Sequence, residues 1–117
     1  MRLEEDLSQA HLRLARVCVE HLDWATCIKK YDRDYTLHFL DPPYWKTEGY
    51  GVPFPLEEYH KIAEAMRTMK GGAILTINDH PEMRRIFNGF KMQAVDINYT
   101  IGGAGKGKKR RELIFEN

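Results

Sequence analysis

The chain has 117 residues, 43% of them hydrophobic and 30% charged, which supports one modest core and is too apolar for a disordered segment. A net charge of +1 gives no global reason to expect a nucleic-acid partner, so any basic footprint must be local. The longest apolar runs fall far short of a membrane span and Met1-Arg2-Leu3-Glu4-Glu5-Asp6 does not read as a signal peptide, so a single cytoplasmic domain over 1–117 is expected. In chain order, Leu3, Leu7, Leu12 and Leu14, with Ala10 between, predict a first helix over about residues 4–14. Arg16-Val17-Cys18-Val19-Glu20 reads as a short strand, with β-branched residues at alternate positions. Asp23 is a plausible N-cap for a helix from Trp24 to about Lys30. Thr36-Leu37-His38-Phe39-Leu40 predicts a strand that must stop at the two prolines of Asp41-Pro42-Pro43-Tyr44.

Residues 45–55 hold Gly49, Gly51, Pro53 and Pro55 among aromatics and read as an ordered loop, long enough to suspect a function. Leu56, Tyr59, Ile62, Ala63, Met66 and Met69 mark one face of an amphipathic helix closed by Gly71-Gly72. A buried-type strand, Ala73 to Ile77, ends at Asn78-Asp79-His80, and Pro81 opens a helix with Met83, Ile86 and Phe87 inside. Two last strands, Lys91 to Ile101 and Arg110 to Glu116, flank a Gly/Lys link and predict an antiparallel hairpin. Strands alternating with helices imply an α/β fold, its sheet mostly parallel with that hairpin at one edge. Cys18 and Cys27 lack metal-ligand spacing and read as reduced thiols, and the five histidines have no ligand spacing, so no metal is expected. His80 alone lies at a strand end near the presumed site, while Trp24 and the methionines read as packing.

The chemistry centres on Asp41-Pro42-Pro43-Tyr44. In an open α/β sheet, ligands bind beyond the carboxyl ends of the strands, where this tetrapeptide falls. Its residues suit methylation of an exocyclic aromatic amine, whose lone pair is delocalised into the ring and makes a poor nucleophile. The Asp41 carboxylate and the Pro42 carbonyl can accept from the two N–H groups and offset the positive charge that develops on nitrogen, with Pro43 restricting the carbonyl. Tyr44 offers a face on which a base can stack, and a duplex base must first be flipped out. The plainer reading of the same four residues is a turn after a strand.

The stretch Leu37 to Trp45, followed by Glu48-Gly49-Tyr50-Gly51 and Phe54, resembles the catalytic motif and downstream loop of Dam-type, phage-like N6-adenine DNA methyltransferases. Gly71 to Phe90, the segment Tyr99-Thr100-Ile101 with Arg111-Glu112-Leu113-Ile114, and His11-Leu12-Arg13-Leu14 resemble other parts of that family's catalytic half, so that the likeness runs over roughly residues 8–117. The resemblance implies a partial Rossmann-like class I methyltransferase sheet. It also implies a role for each matching position: Asp41 and the Pro42 carbonyl hold the adenine amino group, Tyr44 stacks on the flipped base, Phe54 and Asp41 lie against S-adenosylmethionine, and Tyr99 helps frame the base. Methyl transfer would be a direct displacement without a covalent intermediate.

The family's glycine-rich cofactor loop and the acidic residue after it have no counterpart. Gly102 to Gly107 lies between two late strands, and Gly107-Lys108 is followed by Lys109 where a phosphate-binding P-loop needs Ser or Thr. Lys106, Lys108, Lys109, Arg110 and Arg111 put five positive charges within six positions, readable as phosphate contacts on DNA or as a solvated loop. Without the neighbour that carries the cofactor loop, residues 36–41 are expected to present an unpaired edge. A homodimer, the Val17 strand or a second polypeptide carrying the loop would complete it. The expectations are therefore a DNA adenine methyltransferase or a truncated piece of one, an amine methyltransferase acting on RNA or a protein amide, or a catalytically silent assembly module.

Overall fold

The computed structural model describes residues 2–46, 53–99 and 108–117, with only the backbone at Tyr99 and Lys108. The first helix, α1 (Arg2–Leu14), agrees with the leucine spacing. None of its residues is buried, and Leu3, Leu7, Leu12 and Leu14 are all exposed. The strand expected over Arg16–Glu20 does not form: residues 17–23 have no regular structure, and Val17 and Val19 are exposed. Alternating β-branched residues make a strand only where a neighbour offers a ladder and an apolar face, and neither meets this segment. Val17 therefore does not fill the vacant edge. Glu20 is instead held by Lys30 of the next helix.

That helix, α2 (Trp24–Tyr31), starts at the expected cap, where the Asp23 carboxylate accepts from the Thr26 N–H at 3.3 Å. The strand β1 (Leu37–Leu40) follows, then α3 (Leu56–Thr68), β2 (Gly72–Asn78), α4 (Pro81–Ile86), β3 (Lys91–Tyr99) and β4 (Lys108–Glu116). The sheet order is β1-β2-β4-β3. β1 pairs with β2 in parallel, while β2 with β4 and β3 with β4 pair antiparallel, so the described strands form a mixed α/β sheet in which β4 runs against the other three. The reason lies in β4, which inserts between β2 and β3 and adds two antiparallel interfaces, while residues 16–20 add none.

Tyr59, Ile62, Ala63 and Met66 recur at helical spacing on α3 and are buried against Ala73, Leu75 and Ile77 of β2 and Leu113 and Phe115 of β4. Met83, Ile86 and Phe87 close the same core. Each large apolar side chain among them contributes roughly 1.5–3 kcal/mol by leaving water. On β1, His38 and Leu40 align with Ala73 and Leu75, so they share the core face. Leu37 and Phe39 point the other way and are 68% and 67% exposed. Among the described strands β1 pairs with β2 alone and lies at the sheet edge, as expected.

The base of β1 is fixed by Asp32. Its carboxylate accepts from the N–H of Lys70 at 2.7 Å and of Gly71 at 2.9 Å, and pairs with buried His38 at 3.2 Å. Gly71-Gly72 does not act as a left-handed helix cap: α3 gives way to extended backbone at Met69, and Gly89 is the described glycine with positive φ. Gly71 serves a close approach, because a Cβ there would lie 2.3 Å from the Thr36 carbonyl oxygen.

Asp32 is held below the ordinary carboxylate range, chiefly by the Lys70 N–H, and Asp79 chiefly by Arg84. A depressed folded-state value contributes stability above the unfolded value of about 3.9 and loses it as pH falls through the folded one. Urea unfolding is thus expected to show stability falling from pH 5 toward pH 2. Asp32→Asn should flatten that slope; an unchanged slope would remove Asp32 from the account.

Candidate active site

Asp41 is the first residue past β1. Proline nitrogens at 42 and 43 cannot donate to a ladder, so the chain leaves the sheet there. Leu40 is level with Leu75, which brings Thr76 beside Asp41, and the Thr76 hydroxyl donates to Asp41 Oδ1 at 2.9 Å. The carboxylate stays exposed, held from one side with its other oxygen available to a ligand. Two residues on, the Tyr59 hydroxyl from α3 donates to the Pro43 carbonyl at 2.5 Å. Tyr44 is half-buried, and its hydroxyl donates to Glu112 Oε1 of β4 at 2.5 Å. The Asn78 side chain, at the end of β2, grips the Trp45 backbone from both sides, accepting from its N–H at 2.8 Å and donating to its carbonyl at 2.9 Å.

Four of the five positions from Asp41 to Trp45 are thus pinned, by residues of three different elements. Lys46 then takes φ of 57°, a left-handed conformation uncommon for a residue with a side chain. Trp45 and Phe54 meet the Tyr59 ring edge-on, with centroids 5.8 and 4.9 Å away. The structure therefore brings together Asp41, Pro42, Pro43, Tyr44 and Phe54. A groove of about 540 Å³ runs along the open edge of β1 from α2 to this point, lined by Trp24, Tyr31, Leu37, Phe39, Asp41 and Phe54 among others.

Neither the comparison with protein-family models nor that with curated proteins finds a match to the chain.

The basic residues take their place from the strand register. Asn78 pairs with Glu112, so Arg111, Arg110, Lys109 and Lys108 carry β4 beyond the carboxyl end of β2. At about 3.3 Å per residue, Lys109 projects roughly 10 Å past the sheet end on the side of the tetrapeptide. Lys109 and Arg110 are exposed. Arg111 is paired with Asp96 at 3.1 Å, and its carbonyl accepts from the Asp79 N–H. Tyr99 pairs with Lys108 in backbone register at the turn end of the hairpin, which projects past the carboxyl end of β2 on the same side of the sheet as the tetrapeptide. Its side chain, that of Lys108, all of Lys106 and the link, and Glu48, Gly49, Tyr50 and Gly51 lie outside the described residues. His80 proves to be a cap, its Nδ1 accepting from the Glu82 N–H at 3.1 Å, while the Asp79 carboxylate takes a paired contact from Arg84 at 2.7 and 2.9 Å. Among the described residues no three His, Cys, Asp or Glu side chains gather as a metal site.

Sequence reasoning missed Thr76, Tyr59 and Glu112 as supports of the site. Thr76 had a signal as a polar residue within an apolar strand run, and Glu112 as an acidic residue between a basic and an apolar run. Tyr59 had none, since an aromatic on the inner face of a helix reads as packing.

Proposed function

We propose that this chain is the catalytic part of an N6-adenine DNA methyltransferase, taking the methyl group from S-adenosylmethionine and the amino group from an adenine held outside the duplex. One observation carries the reading: Asp41-Pro42-Pro43-Tyr44 stands at the carboxyl end of β1, and polar side chains from three other elements hold it there. Thr76 orients the Asp41 carboxylate, Tyr59 occupies the Pro43 carbonyl, and Glu112 fixes the Tyr44 hydroxyl. An acceptor pair formed by Asp41 and the Pro42 carbonyl fits an –NH2 group, and preorganised acceptors are the strongest help a protein can give a weak aromatic amine. The parallel β1–β2 pair continued by an antiparallel hairpin is compatible with one half of a class I methyltransferase sheet.

The groove beside β1 fits one side of the cofactor: Phe54 supplies an aromatic face and Asp41 a negative charge close to where a sulfonium would lie. S-adenosylmethionine, when bound, supplies the electrophilic methyl group; the residues here orient the amine and offset its charge. The other side of the groove calls for a second copy or a second polypeptide bearing a glycine-rich loop, which the open edge of β1 would receive. Lys109 and Arg110 suit contacts to DNA phosphates. The same open edge favours a second reading, an assembly module without catalysis.

Calorimetric titration with S-adenosylmethionine separates the two. Binding in the micromolar to millimolar range is expected, and methyl incorporation into DNA in preference to RNA should follow. A flat titration at millimolar cofactor would reject the chain as a cofactor-binding unit by itself and leave the assembly reading.

A further inference from the structure

Glu112 is an anomaly by charge. It follows Lys108, Lys109, Arg110 and Arg111 on β4, at the sheet end from which those residues project, where a carboxylate opposes any anion drawn to them. Its position explains it. Glu112 is level with Asn78 across the β2–β4 ladder, and those two side chains hold consecutive residues, Asn78 the Trp45 backbone and Glu112 the Tyr44 hydroxyl. It is half-buried, turned to the tetrapeptide, and makes a 2.5 Å charge-assisted bond. We propose that Glu112 is a positioning residue that fixes the Tyr44 ring as a stacking platform for an unstacked purine base. The inference rests on the nucleic-acid reading above and deepens it by assigning the residue that sets base capture.

Two roles for Glu112 predict opposite results. As a mere negative charge beside a basic strand, its loss would tighten binding to a polyanion, and Ala and Gln would behave alike. As a partner of Tyr44, its loss removes the bond that holds the phenol end of the ring, and Gln, whose amide oxygen still accepts from the phenol, should stand in for it.

The probe is a single-stranded oligodeoxynucleotide with one 2-aminopurine, whose fluorescence is quenched when the base stacks. The wild-type chain should quench it. Glu112→Ala should weaken the quenching titration about tenfold, the loss of one hydrogen bond to a charged acceptor, while Glu112→Gln stays within about twofold. Tyr44→Phe, which removes the same bond and keeps the ring, should resemble Glu112→Ala and carries the test if the alanine variant unfolds. With fluorotyrosine-labelled protein and no nucleic acid, Glu112→Ala should move the Tyr44 resonance, identified by its loss in Tyr44→Phe. Quenching by wild type that is unchanged or strengthened in Glu112→Ala overturns the role of Glu112 and leaves the nucleic-acid reading standing. No quenching by wild type overturns that reading, and the role of Glu112 with it.

Discussion

Asp41→Ala is expected to lower methyl transfer by about 10²–10³-fold, the scale seen when a preorganised group facing developing charge is deleted. In the substituted chain the amine would keep one acceptor, the Pro42 carbonyl, and lose the negative charge that offsets the forming cation. Asp41→Asn should fall between, since its amide oxygen still accepts but carries no charge. The fold should not suffer: Asp41 is exposed, and its described side-chain bond, from Thr76, is one that water can replace. Transfer of labelled methyl from S-adenosylmethionine to an adenine-containing duplex, in a preparation shown to bind the cofactor, reads the activity. Thermal unfolding reads the fold. Full activity in Asp41→Ala would remove the tetrapeptide from the chemistry and leave the turn reading in possession.

The largest effect on stability is expected from a residue far from the chemistry. Gly71→Ala would place a methyl group 2.3 Å from the Thr36 oxygen and 2.9 Å from the Arg33 oxygen. Both are backbone atoms, and the turn that carries them has little room to yield. Thr36 bonds to Arg33 and Tyr31 through its hydroxyl, its carbonyl accepts from Gly72, and Asp32 holds Gly71 itself. Relief requires β1 to separate from β2 at its first rung, at a cost of about 3 kcal/mol. A chain of this size should then melt lower by on the order of 10 °C. Gly72→Ala is the control, for its Cβ would meet only the end of Leu37 at 3.8 Å, an ordinary contact. Equal melting of the two variants would show that crowding at Gly71 is not what that glycine relieves.

What could be read from the sequence was whatever depends on near neighbours. The inner face of α3, the cap at Asp23, the stop at Pro42-Pro43 and the two strands of the hairpin follow from spacing and backbone chemistry within a few residues. What could not be read depends on partners far along the chain. Val17 and Val19 have the pattern of a strand, yet no ladder reaches them. The insertion of β4 between β2 and β3 has no local signature, and it alone brings Glu112 to Tyr44 across 68 positions. The tetrapeptide was legible as a motif, whereas Thr76 and Tyr59, which hold it, became visible only through register and helix placement.

The open edge of β1 is only four residues long, bounded at its far end by two prolines. A strand added there gains about two backbone hydrogen bonds, each worth roughly 1 kcal/mol net, against an association cost of at least about 4 kcal/mol. Backbone pairing therefore sets direction and register without supplying the affinity. The affinity must come from covering Leu37, Phe39 and the groove beside them. Apolar burial of this kind is driven by entropy near room temperature and weakens on cooling. An assembly completed through this edge would be held by heat, and would come apart more readily in the cold room than on the bench.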